Sequence, residues 1–347
     1  MSDMGPETVT RGRRSDGSGL SLSVALTPNL RTRPILDGMF HADGIDMTPL
    51  EIHPSELFWR QLKFAEFDVS EMSMSSLLMA IARGDDRFIG LPIFTTRYFF
   101  QNWILIRKDS GIEKPEDLAG KRVGVPEYQQ TAALWSRGVL QHEFGVAPKD
   151  MEFFMERLPD ISHGGSTGFK APDGVTVNYI PADTNMGEMF LAKELDATLL
   201  YLPDGNLVDR STADLANHPN FGPLFPSPYA EGKRYFAKTG LYPINHGMVI
   251  KREIAEKHPW VVLNIFKAFD EAAKHVERQR LAMVKNHLET GLLPPEAEAA
   301  LAMPLIEHGV VANRKVLETI VQYSYEQGLT PRKLALEEVF ATSTLDK

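Results

Sequence analysis

Residues 112–131 constrain the fold more than any other stretch of the chain. Pro115 suits a first helical turn, where its fixed φ fits and its missing N–H is not needed, and Gly120 suits the cap that ends such a turn. Arg122-Val123-Gly124-Val125 reads as a short buried strand, and Tyr128-Gln129-Gln130-Thr131 then opens a helix. A helical turn, a strand and a helix start in that order build an open α/β sheet. In such sheets ligands gather beyond the carboxyl ends of the strands, where free N–H groups of the next helix favour anions. The loop after Val125 is therefore expected to face a cleft.

Length and charge narrow what that cleft can serve. At 347 residues with 43% apolar content, the chain is long enough for two lobes with separate cores. Lys plus Arg number 37 against 46 Asp plus Glu, a net charge of −9, which argues against a nucleic-acid partner and makes any anion site local. The chain has no cysteine, which excludes a disulfide framework, a zinc-thiolate site and a cysteine nucleophile. Residues before Leu20 are polar, and Arg13-Arg14 runs into Ser-Asp-Gly-Ser-Gly rather than an apolar segment, so no export signal is visible. The apolar positions of 20–26 alternate with serines, a strand pattern too short to span a membrane. These features predict a cytoplasmic protein with no membrane partner.

Along the chain, a disordered-looking leader (1–19) precedes a strand at 22–26 and a loop at 27–34 whose prolines stop regular structure and leave Arg31 and Arg33 on a loop. Ser55 is placed to cap a helix at 57–64, and serines precede a helix at 77–82. Residues 103–106 read as the strand leaving the first lobe, 188–195 as a helix and 197–200 as a buried strand. The chain returns to the first lobe through 239–250. Pro259 then opens a helix with an apolar stripe of Val262, Ile265, Phe266, Phe269, Ala273 and Val276, and 314–326 is helical too. The expected fold is α/β with two lobes, 20–107 plus 239–347 and 108–238, able to close on a ligand between them.

The wording of 112–131 resembles the second lobe of periplasmic-binding-protein type II folds. Glu66-Phe67-Asp68-Val69-Ser70-Glu71-Met72-Ser73, Trp135-Ser136-Arg137-Gly138, residues 239–246 and His258-Pro259-Trp260 resemble, more specifically, the 4,5-dihydroxyphthalate decarboxylase family over about residues 20–285. That resemblance implies a two-lobe periplasmic-binding-protein type II-like fold with the ligand cleft between the lobes. It also implies a cytoplasmic carboxy-lyase of phthalate-type aromatic catabolism, acting on a small aromatic carboxylate without a cofactor. A homo-oligomer is expected. After the matching Arg97, family members usually carry an arginine and a histidine where this chain has Phe100 and Gln101, which favours a substrate with fewer carboxylates or a larger apolar part.

Aromatic decarboxylation needs a clamp for carboxylate, an acid that protonates the ring carbon and a partly dry cavity. Arg31, Arg33 and Arg97 are clamp candidates, since guanidinium meets carboxylate with two parallel hydrogen bonds; the alternative is a solvated or structural arginine. His246, which the family match places on the lobe-crossing segment, is the candidate acid, against a structural histidine beside a strand. Glu71 is a second proton carrier or an ordinary cap. Ser73 and Ser75 either donate to a carboxylate or cap the helix that follows. Gln130 and Thr131 are candidate polar ligands, and Trp135 is a wall for the ring or part of the core. His53-Pro54-Ser55-Glu56 is too sparse for a metal site, so none is expected. The competing function is a non-catalytic binding protein or sensor for a small organic anion.

Overall fold

Among the described residues eleven strands form two sheets, and the way the chain passes between them puts a cleft at their junction. The computed structural model describes residues 19–295, 297 and 305–347, so the expected leader, Gly19 apart, lies outside the described residues. The first sheet runs β2-β1-β3-β11-β4, from β1 (Leu20–Leu26), β2 (Ile45–Glu51), β3 (Val69–Ser73), β4 (Phe88–Arg97) and β11 (Ile244–Lys251). The second runs β10-β5-β9-β6-β7-β8, from β5 (Leu105–Arg107), β6 (Arg122–Val125), β7 (Glu152–Met155), β8 (Thr176–Tyr179), β9 (Ala197–Thr198) and β10 (Phe221–Pro223). β1 lies parallel to β2 and β3, and β6 lies parallel to β7 and β9. Central parallel strands are covered on both faces, which is why β3 and most of β6 are buried without alternation. The returning segment enters the first sheet as β11, antiparallel to β3 and β4.

Several boundaries differ from the sequence reading, each for a local reason. β5, expected at the exit from the first lobe, is hydrogen-bonded to β9 and β10 in the second sheet. The helix expected at 188–195 is Met186–Leu191, and Lys193 just beyond it takes a left-handed φ of 62° that helical backbone cannot follow. Its Asn185 side chain caps the start by accepting the Glu188 N–H. The helix expected from Ser55 is Pro54–Phe64, with His53 at the cap and Pro54 in the first turn.

The Trp260–Glu289 helix lays Val262, Ile265, Phe269 and Ala272 into the core of the first sheet with Val24, Leu91 and Ile250. The largest apolar cluster belongs to neither sheet alone and includes Leu57, Met72, Val123, Trp135 and Leu317. The Val310–Glu326 helix crosses to the Thr131–Phe144 helix, where Tyr323 packs edge-on to Trp135 and over Gly138.

Candidate active site

Strand register assembles the central constellation. His246 lies opposite Ser73, and Met248 opposite Glu71. Opposite residues share a face, as do residues two apart, so Glu71, Ser73 and His246 emerge on one side of the sheet. His246 Nδ1 stands 3.2 Å from Glu71 Oε2. The other oxygen of Glu71 accepts the Thr27 N–H at 3.0 Å, just past the end of β1, and the carboxyl is fully buried. An acceptor held in that way orients the ring and favours the Nδ1–H tautomer, leaving Nε2 for exchange with whatever lies beside it. Nε2 is 2.9 Å from the Asn245 amide, and the Phe58 ring packs edge-on to the imidazole at 4.6 Å. The pairing of β11 with β4 shifts on both sides of His246, the kind of irregularity that re-aims a side chain at a cleft.

Thr27, Phe58, Ser73, Asn245 and His246 line a cavity of about 250 Å³ whose other side is formed by Gln130, Arg157 and His163. Phe58, Tyr98, Phe100 and Trp103 provide its aromatic surface. Three buried oxygens of lining residues, Thr27 Oγ1, Asn245 Oδ1 and Gln130 Oε1, have no protein partner. They are suited to hydroxyl groups of a ligand, because a buried acceptor left without a donor costs about 1–3 kcal/mol.

The positive charge at the cavity wall is already matched. Arg157, 1% exposed, donates to Asp209 Oδ1 at 2.6 Å, to Glu127 Oε1 at 2.9 Å and to Ser55 Oγ at 2.5 Å. Burial alone lowers the guanidinium's pKa, yet Asp209 and Glu127 hold it above its ordinary value. Burial likewise works to raise the Asp209 carboxyl, but the Arg157 charge brings it down to about 2. Glu127 also accepts the N–H groups of His163 and Gly164 at 3.0 and 2.8 Å. His163 and His53 are both lowered, first by burial, and Arg157 acts in the same direction. Ser55 belongs to a helix that packs on β3, whereas Arg157 and Asp209 follow strands of the second sheet, so this network joins the two halves beneath the cavity.

The family model described as NMT1/THI5 like matches residues 37–211, just over half of the chain. A 4,5-dihydroxyphthalate decarboxylase of Comamonas testosteroni is 29% identical over 336 residues, covering 95% of this chain and 98% of that protein. A 4,5-dihydroxyphthalate decarboxylase of Pseudomonas putida is 36% identical over 180 residues, covering 52% of this chain and 70% of that protein. The chain belongs to the NMT1/THI5-like family, in its 4,5-dihydroxyphthalate decarboxylase-like part. Among solved structures, the alkanesulfonate-binding protein of Xanthomonas axonopodis pv. citri bound to MOPS superposes with a TM-score of 0.55 at 17% identity, covering 93% of this chain and 99% of that one. This NMT1/THI5-like protein therefore has the α/β, two-lobe periplasmic-binding-protein-like fold.

In this family member the residues singled out from sequence fall into separate groups. Ser73, Gln130 and His246 line the cavity, with Glu71 directly behind His246. Thr131 and Ser75 sit one layer deeper: Thr131 Oγ1 lies 2.8 Å from Ser73 Oγ and accepts the Ser75 N–H at 2.9 Å, so it caps the Met74–Ala82 helix from across the cleft. Ser75 Oγ donates to the Gln129 carbonyl. Trp135 is fully buried and donates its indole N–H to the Ile244 carbonyl at 2.8 Å, within the core.

None of the three arginines expected as a clamp is among the residues lining the cavity. Arg33 is exposed and paired with Glu51 at 3.2 Å, because the short Arg33–Leu36 helix begins there and turns it to solvent. Arg97 is buried, donating to the Glu307 carbonyl at 3.1 Å and to Asn313 Oδ1; burial, then the Arg31 charge, brings it down to about 10. Arg31 is half-buried. The sequence reading missed Asn245, Ser55, Arg157 and His163. Arg157 had a readable signal, since it lies two residues beyond the end of β7, where the strand-end rule applies. Among the described residues no group of three or more His, Cys, Asp or Glu is disposed to hold a metal, and no helix is long and apolar enough to cross a membrane.

Proposed function

We propose that this protein decarboxylates a hydroxylated aromatic carboxylic acid, with His246 delivering a proton to the ring carbon that loses carbon dioxide and Glu71 orienting the imidazole. The observation that carries the reading is the His246–Glu71 pair at 3.2 Å on the wall of a ring-sized cavity, in a chain whose relatives carry decarboxylase names. The step balances without another reactant. The proton carried on His246 Nε2 transfers to the ring carbon bearing the carboxylate, the N–H bond breaking as the C–H bond forms while the Nδ1–H stays hydrogen-bonded to Glu71, and a ring hydroxyl spreads the positive charge that results. The carbon–carboxyl bond then breaks, its electron pair restores the aromatic ring, carbon dioxide leaves, and His246 regains a proton from water. Thr27, Gln130 and Asn245 hold ring hydroxyls, and the aromatic surface keeps the carboxylate poorly solvated, which favours its loss as a neutral gas.

The same reading takes the two lobes to close over the cavity. It assigns the protein to cytoplasmic aromatic catabolism as a homo-oligomer, properties checked by cell fractionation and light scattering. The test of function is to incubate the purified chain with 4,5-dihydroxyphthalate and a panel of hydroxybenzoates and follow carbon dioxide. Release from at least one acid is expected. Saturable binding of these acids with no release from any would make the protein a binder or sensor instead.

A further inference from the structure

Next to the active-site cavity lies a second one of about 490 Å³, and Tyr98 and Trp103 line both. Their rings are 5.5 Å apart and the two residues 42% and 45% exposed, so a pair of aromatic residues is shared by the two cavities where they adjoin. Phe99, Leu105, Tyr201 and Leu215 make the outer cavity largely apolar, and its one charged lining residue is Asp214. A carboxylate there disfavours a second anionic group. The inner cavity offers no better place for one. Arg157 is the arginine that lines it, and its guanidinium is committed to Asp209, Glu127 and Ser55. A carboxylate that departs as carbon dioxide gains from a site without a free cation, whereas one that stays on the product needs a lasting partner.

The volumes point the same way. An apolar cavity of roughly 150 Å³ admits benzene, so the inner cavity holds one substituted ring and the outer has room for a second group of similar size. We infer that the natural substrate carries a single carboxylate and an uncharged, apolar substituent that passes Tyr98 and Trp103 into the outer cavity. This inference rests on the decarboxylase reading and narrows its substrate class.

The experiment compares kcat/KM for carbon dioxide release from 3,4-dihydroxybenzoate, its 5-phenyl derivative and 4,5-dihydroxyphthalate. The phenyl acid is expected to exceed both others by about tenfold or more, the factor that burial of one ring supplies. Ala216 lines the outer cavity only. Filling it with Ala216→Phe should bring the ratio of phenyl acid to unextended acid close to one. Ala216→Leu, a milder filling, is read in the same way if the larger side chain prevents folding. The inference is overturned if 4,5-dihydroxyphthalate is the best of the three, or if neither substitution changes the ratio. Release from none of the acids removes the decarboxylase reading itself, and the inference with it.

Discussion

His246 and Glu71, the proton donor and orienting carboxylate of the proposed reaction, come from neighbouring strands, so their 3.2 Å separation is held by sheet hydrogen bonds rather than by a loop. His246→Asn keeps a polar side chain of similar reach but has no proton to give. It should lower kcat by about two to four orders of magnitude, the usual contribution of a positioned acid, while calorimetry shows ligand affinity little changed. Glu71→Gln should reduce kcat less, since it leaves the imidazole in place and removes only the charge behind it. Arg97 belongs to a different class. Its hydrogen bonds to Asn313 and the Glu307 carbonyl tie β4 to the approach of the C-terminal helix. Arg97→Ala should therefore cost about 2–3 kcal/mol in urea unfolding, as loss of buried charged hydrogen bonds does, with KM nearly unchanged. A large rise in KM at unchanged stability would return Arg97 to the role of a substrate clamp.

Between elements, the seam below the cavity depends on a side chain capping a helix on the opposite side. Thr131 Oγ1 accepts the Ser75 N–H, so the Met74–Ala82 helix is capped from the Thr131–Phe144 helix. Thr131→Val preserves shape and removes the acceptor. The expected loss is about 1 kcal/mol, seen as a lower midpoint of thermal unfolding. Gly138 serves the other helix contact: a Cβ at that position would stand 2.2 Å from the Tyr323 ring. Gly138→Ala, favourable to an isolated helix, should destabilise the protein by about 1–3 kcal/mol because the ring has to shift. A more stable Gly138→Ala variant would show that the two helices adjust without strain.

For the whole molecule, buried groups held away from their ordinary titration couple stability to pH. His308 accepts the Phe94 N–H at 3.1 Å, and burial, helped by Arg97 and Arg31, takes it down to about 3. The unfolded chain, with a histidine near 6.5, takes up the proton first. The contribution of neutral His308 is therefore fully present above pH 6.5 and is lost as pH falls toward 3, by at most about 1.4 kcal/mol per unit. His163 adds a slope of the same sign. Thermal midpoints should fall between pH 7 and 5, and His308→Gln, which keeps an acceptor for Phe94, should flatten that dependence. An unchanged slope would mean that His308 is already charged in the folded protein. The Arg157 network extends the argument to the junction of the lobes. Arg157→Leu strands Asp209 and Glu127 in the interior and should cost about 3–5 kcal/mol.

What the sequence determined by itself was everything set by local spacing. Pro115, Gly120 and the Val123–Val125 run specify a turn, a strand and a helix start whatever surrounds them, and the stripe of Val262, Ile265 and Phe269 specifies a helix with one buried face. Residue chemistry and the family resemblance brought Ser73, Gln130 and His246 forward as candidates, and all three line the cavity, whereas Arg31 and Arg97, chosen by the strand-end rule, do not. Only the tertiary structure decided which polar residues face that space and which face the core. Arg97, Thr131 and Trp135 carry the same chemical signal as the residues that line the cavity, yet the C-terminal helix, the opposing helix cap and the Ile244 carbonyl take up their donors and acceptors. Those partners lie 56 to 216 residues away in the chain. No pattern of neighbouring residues encodes so distant a pairing, because it arises only when separate elements pack against one another.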